Sequence, residues 1–127
     1  MTPNFLRVLV ALSVVVTASE VSAADSLSGT WKAVRALGGD VHGPEISISG
    51  AEVSGTGGCN RFSGSAVVSG NTIKFGPLRA TKMFCAGKMD TETVFLSALD
   101  ATRAFAVSGD ELVFTDETGS PVAIFQK

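Results

Sequence analysis

From Leu27 onward, apolar positions recur in short alternating runs separated by glycine-containing breaks, the period-two pattern of half-buried strands. Trp31, Ala33, Arg35 and Leu37 alternate with Lys32, Val34 and Ala36, which predicts a first strand ended by Gly38-Gly39-Asp40. Glu45–Ser49 predicts a second with Ile46 and Ile48 on one face, and extended chain resumes at Glu52 after Gly50. Residues 62–68 and 72–75 predict a hairpin across Ser69-Gly70-Asn71, stopped by Gly76-Pro77. Residues 79–88 are irregular. Beyond them Val94, Phe95, Ala98, Leu99 and Thr102 fall at helical spacing and predict one helix over roughly 90–102. Asp90 is its expected N-cap, Glu92 an acid favoured in the first turn by the helix dipole, and Met89 with Val94 a hydrophobic staple.

Three more strands, at 104–107, 111–115 and 121–126, are separated by the turn residues Ser108-Gly109-Asp110 and Asp116-Glu117-Thr118-Gly119. Phe105 with Val107, Leu112 with Phe114, and Val122 with Ile124 each share a face, while Val113, Ala123 and Phe125 place apolar groups on the other. Seven or eight short strands with one helix leave too few crossovers for a parallel sheet. The expectation is a mainly β (α+β) fold: a curved antiparallel sheet or small barrel with the helix covering one end or face.

The N-terminus alters the picture of compartment. Arg7 precedes an apolar run from Val8 to Val16 broken only by Ser13, and Val21-Ser22-Ala23-Ala24 supplies small residues for signal-peptidase cleavage after Ala23 or, preferably, Ala24. The run is far shorter than the ~20 residues a membrane-spanning helix needs, and no cysteine lies beside the cleavage site to carry a lipid. Residues 1–24 are therefore expected to be a cleaved signal peptide. Residues 25–127 are expected to be a single exported domain, periplasmic or secreted, without a membrane span and monomeric. Arg7 and Glu20 leave with the leader, so the 10 basic and 12 acidic residues become nine and eleven and the net charge stays at −2. A nucleic-acid binder would show a clustered basic excess instead.

Charge is nonetheless segregated. The stretch from Gly57 to Asp90 carries Arg61, Lys74, Arg79, Lys82 and Lys88 and no acid before Asp90, whereas 90–117 holds seven acids against Arg103. The same stretch contains both cysteines, Cys59 and Cys85. An even count in an exported chain favours a disulfide, worth roughly 3–4 kcal/mol on the chain-entropy model, over two buried thiols that never meet.

Candidate chemistry is sparse. His42, the one histidine, sits in a loop without a second ligand or nucleophile nearby, a poor start for catalysis. The carboxylate pairs Asp90/Glu92, Asp110/Glu111 and Asp116/Glu117 occupy caps and turns, where acids belong for structural reasons. Gly55, Gly57 and Gly58 lack the lysine and helix of a phosphate loop and are read as positions of positive φ or close backbone approach. A soft copper site from Cys59, Cys85, Met83 and His42 has no supporting spacing and would not survive thiol oxidation. Neither cofactor nor metal is expected. What remains is a polar, basic patch: Asn60, Arg61, Thr81 and Lys82 flank the cysteines and form a candidate interaction surface, unless Arg61 simply pairs with a helix carboxylate.

At these residues the chain resembles the META domain family, which includes the heat-inducible bacterial protein HslJ. The matching pieces are Leu27-Ser28-Gly29-Thr30-Trp31, Gly58-Cys59-Asn60-Arg61-Phe62-Ser63-Gly64, Phe75-Gly76-Pro77-Leu78, Thr81-Lys82-Met83-Phe84-Cys85, Met89-Asp90 with Glu92, Phe95-Leu96-Ser97-Ala98-Leu99, and Gly109-Asp110-Glu111-Leu112. The resemblance implies a small, mostly β, barrel-like fold with one helix and an envelope location, and supplies no catalytic mechanism. Family members are associated with the heat-shock response, novobiocin resistance and, in some parasites, secretion and virulence. Two departures stand out. HslJ resembles a lipoprotein and this chain lacks a lipobox cysteine, and Ala66 stands where the family often carries an aromatic. The leading expectation is a non-enzymatic envelope stress module acting through contacts with a protein partner. The alternatives are a carrier of a small hydrophobic ligand or lipid, which would need an interior not filled by Phe62, Phe75, Phe95, Leu99, Phe105 and Phe114, or an inhibitor of an envelope hydrolase using 40–44 or 79–86 as a protruding loop.

Overall fold

The structure, a computed structural model, describes residues 23–127. The expected leader lies outside them, apart from Ala23 and Ala24, which open a short helix, α1 (Ala23–Leu27), that the sequence pattern does not announce. A helix this short is not stable by itself. Contacts with the barrel hold it: Leu27 is wholly buried, and its carbonyl accepts the Trp31 indole N–H at 2.9 Å.

The strands are β1 (Gly29–Ala36), β2 (Gly39–Asp40), β3 (Glu45–Ser49), β4 (Glu52–Thr56), β5 (Arg61–Ser69), β6 (Thr72–Phe75), β7 (Arg79–Ala80), β8 (Ala104–Ser108), β9 (Glu111–Thr115) and β10 (Pro121–Gln126), with helix α2 (Met89–Ala101) between β7 and β8. All pairings are antiparallel. The order β10-β9-β8-β6-β5-β4-β3-β1 closes on itself because β10 also pairs with β1, giving an eight-strand barrel with β2 and β7 as short additions. Closure removes the exposed edges that an open sheet would have to protect.

The two seams differ. β1 and β10 pair from Lys32↔Gln126 to Ala36↔Ala123, whereas β6 and β8 share a single register pair, Thr72↔Ala104. On its other edge β6, only four residues long, pairs with one half of β5, whose other half pairs with β7, and Gly76-Pro77-Leu78 runs between them against β5, Gly76 N–H bonding the Ser65 carbonyl at 2.9 Å. Helix α2 lies over this side and packs on β6, β10 and β1.

Eight strands enclose an interior just wide enough to be filled by side chains. Phenylalanine rings fill it in a continuous file: Phe62 on Phe95 at 6.1 Å, Phe95 on Phe125 at 6.0 Å, Phe125 on Phe114 at 5.0 Å and Phe114 on Phe75 at 5.7 Å between centroids. Tilted and edge-on pairs at these distances add favourable electrostatics to apolar burial. Trp31, Ile46, Ile73, Leu99, Leu112 and Phe105 complete the core.

Two strand faces depart from simple alternation. Val34 is an extra residue of β1 against β10, so Trp31, Ala33 and Ala36 point inward while Arg35 and Leu37, expected on the Trp31 face, are exposed. Val122 is likewise extra in β10 against β9, and the inward residues beyond it are Ala123 and Phe125 rather than Ile124. One inserted residue inverts the faces beyond it, as a β-bulge must.

Candidate functional site

Between β4 and β5 the chain makes a tight turn, Gly57-Gly58-Cys59-Asn60. Gly57 N–H bonds the Asn60 carbonyl at 3.0 Å, and Gly58 N–H bonds Thr56 Oγ1 at 3.1 Å. Gly58 has φ +113°, and a Cβ on Gly57 would stand 2.6 Å from Glu92 Cγ. Both positions therefore need glycine, one for conformation and one for contact. The turn aims the amides of Cys59 and Asn60 at the first turn of α2, where the Glu92 carboxylate receives them: Oε1 accepts Cys59 N–H at 3.0 Å and Asn60 N–H at 2.5 Å, and Oε2 accepts Asn60 Nδ2 at 2.6 Å.

Asn60 is the centre of this knot. Its second Nδ2 proton goes to the Met83 carbonyl at 3.1 Å, and its Oδ1 accepts Thr81 Oγ1–H at 2.8 Å and Met83 N–H at 2.6 Å. Both donors and both lone pairs of the amide are thus used, the condition a buried asparagine must meet. Thr81 in turn accepts Arg61 N–H at 3.2 Å. Cys59 and Cys85 are disulfide-bonded with their Cα atoms 5.8 Å apart. The segment from Thr81 to Cys85 is consequently pinned at 81, 83 and 85 to the turn before β5.

Burial pushes the Glu92 carboxyl up, but the Asn60 side-chain amide and the Asn60 and Cys59 backbone amides outweigh it and hold the group below the usual glutamate range. The acid read from sequence as a partner of the helix dipole is in addition a buried ligand for backbone donors more than thirty residues upstream. The helix also begins earlier than Asp90 would dictate. Gly87 turns the chain at φ +79°, Lys88 N–H bonds the Cys85 carbonyl, and Lys88 becomes the N-cap without a side-chain cap bond. Met89 lies inside the first turn with its sulfur 3.5 Å from Cys85 N, so the expected staple geometry does not form. At the other end Arg103 caps the helix, donating to the carbonyls of Asp100 and Thr102 at 2.8 Å each.

The four patch residues divide. Asn60 is buried and works inward, which removes it from the contact surface. Arg61, Thr81 and Lys82 are exposed. Arg61 pairs with no carboxylate among the described residues; Glu92 is taken by Asn60 and Cys59. Arg61, Arg79 and Thr81 line an open depression of about 1130 Å³ on the outer face of β3, β4 and β5, whose floor includes Ser47, Ser54 and Ser63 in cross-strand register. Periodicity gives no sign of the outward turn of Met83 and Phe84 beside it, 56% and 79% exposed. His42 is exposed in its loop, and the two cysteines, consumed by the disulfide, hold no thiolate for a metal.

A closed antiparallel barrel plugged by one helix, with an Asn–Glu knot and a disulfide fastening a loop at its rim, defines a class of small β-barrel domain. The META domain model matches residues 25–127, and the chain belongs to that family. Among solved structures the chain is similar to a protein determined by NMR (TM-score 0.64, 20% identity, covering 84% of this chain and 96% of that one). A Burkholderia xenovorans protein, also determined by NMR, is similar at TM-score 0.64 and 19% identity, over 94% and 99% of the two chains. A DUF4847 family protein from Bacteroides vulgatus is similar at TM-score 0.60 and 16% identity, over 78% and 92%. At these identities the likeness is one of fold. Comparison with curated proteins returned no match.

Proposed function

We propose that this META domain protein is a non-enzymatic module of the cell envelope that acts through protein contacts in tolerance of heat or of novobiocin. The observation that carries the reading is the depression around Arg61, Arg79 and Thr81: two guanidinium groups and one carboxylate, Glu45, none of them ion-paired among the described residues, over a floor of hydroxyls, with Thr81 held in place from behind by Asn60. Such a surface offers charge and hydrogen bonds to a partner and presents no nucleophile–base pair. Export is supported by the leader-like residues 1–24 and by the disulfide, which persists in oxidising compartments. The carrier reading fares less well, because the file of phenylalanine rings occupies the barrel interior. The apolar space beside α2 is an open slot of about 210 Å³ lined by Phe75, Leu78 and Leu96, below the roughly 300 Å³ at which ligand pockets begin.

The test is complementation of a deletion strain under heat and novobiocin challenge. Wild-type protein should restore growth, and Arg61→Glu/Arg79→Glu, with an unchanged melting temperature, should not. Equal rescue by the charge-reversed protein would remove the depression from the mechanism, and a deletion with no phenotype under either stress would remove the function.

A further inference from the structure

Four large apolar side chains stand exposed among the described residues: Leu37, Val67, Met83 and Phe84. Leu37 and Val67 are single residues on different parts of the barrel, and singly exposed apolar groups need no explanation. Met83 and Phe84 are adjacent and share a loop whose backbone has little freedom to be elsewhere. Asn60 binds both the N–H and the C=O of Met83, and the next residue but one, Cys85, is bonded to Cys59. A loop so fastened shows its apolar side chains to solvent as a fixed feature.

Its charge points to what would cover it. Lys82 and Lys88 lie within the loop, and Arg61 and Arg79 lie on the strands that Thr81 and Ala80 adjoin; all four are exposed and none is ion-paired among the described residues. No carboxylate occurs from 53 to 89. The carboxylates around it are Asp90, on the second residue of α2, Glu92, which is buried and already bonded, and Glu45 and Glu52 on β3 and β4, of which Glu45 shares the depression with Arg61 and Arg79 without pairing to either. An apolar tip set among unpaired cations matches the interface of an anionic bilayer, where each Lys or Arg near the surface contributes about 1 kcal/mol and apolar side chains enter the headgroup boundary.

Charge favours a bilayer over a peptide-binding protein surface, and half of the tip's backbone agrees: pairing with another chain would use free N–H and C=O groups, and those of Met83, though not those of Phe84, are committed inward to Asn60. The same commitment lowers the cost of taking Met83 out of water, because neither group enters the interface unpaired.

We infer that the Met83–Phe84 tip, with Lys82, Lys88, Arg61 and Arg79 around it, docks this protein peripherally on an anionic phospholipid surface. The contact is one of surface adsorption with shallow insertion, and no helix among the described residues is long and apolar enough to cross a membrane. The inference goes beyond the proposed role in stress tolerance and stands or falls separately from it.

The experiment is co-sedimentation of the oxidised protein with vesicles of phosphatidylcholine alone and of phosphatidylcholine mixed with phosphatidylglycerol. The expected result is binding to the mixed vesicles alone, weakening as salt is raised. Phe84→Ser should partition about tenfold less, the equivalent of roughly 1.4 kcal/mol of lost apolar contact. Lys82→Glu/Lys88→Glu should abolish binding. All of these residues are exposed, so unchanged thermal melts certify the fold. In Phe84→Trp the new indole should shift its emission to the blue with mixed vesicles, against a constant signal from buried Trp31. Two results overturn the proposal: binding that Phe84→Ser leaves intact, which is charge adsorption without the tip; or no binding to the mixed vesicles, which, when Phe84→Ser also loses complementation, assigns the tip to a protein pocket.

Discussion

Over its middle and last turns α2 buries Phe95, Ala98 and Leu99, the first against the rings of Phe62 and Phe125, whereas its first turn buries one carboxylate, Glu92, against amides of Cys59 and Asn60. The apolar end is a matter of volume and tolerates any neighbour of the right shape. The polar end is a matter of count, since each donor and acceptor has one assigned partner and leaving any unmade costs its full desolvation. The apolar contacts therefore hold the helix in the barrel, and the polar ones fix what lies beyond its N-terminus: the turn before β5 and the loop running to Cys85.

The apolar end is most sensitive at Phe95. Phe95→Ala removes the ring that joins Phe62 to Phe125 and should cost about 3–5 kcal/mol, read as a fall in unfolding free energy by denaturant titration. Loss of the disulfide comes next. Cys59→Ser/Cys85→Ser releases a crosslink spanning 26 residues and should cost about 3.5 kcal/mol on the chain-entropy model, while the Asn60 bonds to Met83 keep the loop near its place. Proteolysis at the loop, faster in the double serine variant but still slower than in one that also carries Asn60→Ala, would show that both fasteners act.

Glu92→Gln sharpens the comparison at smaller cost, about 1–3 kcal/mol. One glutamine oxygen can accept the two backbone amides, but its nitrogen then faces Asn60 Nδ2, and Asn60 cannot flip because Oδ1 already accepts from Thr81 and Met83. The pH dependence separates this from a packing defect. The folded carboxyl titrates below the unfolded value of about 4.3, so between the two the unfolded chain binds more protons. Wild-type stability should therefore be fully expressed above the unfolded value and fall as pH drops through the folded one, and this component should be missing from Glu92→Gln. Equal slopes in the two proteins would deny Glu92 its part.

Much of this architecture is legible in the chain. Alternation locates the strands, Ser69-Gly70-Asn71 locates the β5–β6 hairpin, helical spacing locates α2, and the paired cysteines suggest their bond. Alternation puts Arg35, Leu37 and Ile124 on the wrong face because a bulge at Val34 or Val122 is set by strand pairing across the barrel and leaves no mark on local composition. Glu92 shows a subtler limit. An acid in a first helical turn has an adequate local explanation, and its burial depends on amides 32 and 33 residues away. Asn60 reads as surface by the same logic, since polarity alone does not say which way a side chain turns. The available signal is the glycine three residues before it: Gly57 is needed because Glu92 comes so close.

The β1–β10 seam bears on the order of assembly. Lys32 meets Gln126 there, so the contact spans nearly the whole folded chain and its loop-closure entropy is recovered only once both halves of the barrel exist. Trp31 stands on β1 one residue before this seam, in register with Ile46 of β3, wholly buried with the Lys127 ammonium 4.9 Å from its ring, and the protein has one tryptophan and no tyrosine. Its ultraviolet emission thus has a single origin, at the place where the ends of the fold meet. A refolding trace followed at Trp31 reports the joining of β1 to β3 and to the C-terminal end of the chain, and carries no direct signal from the β5–β6 hairpin or the disulfide loop, which hold no indole.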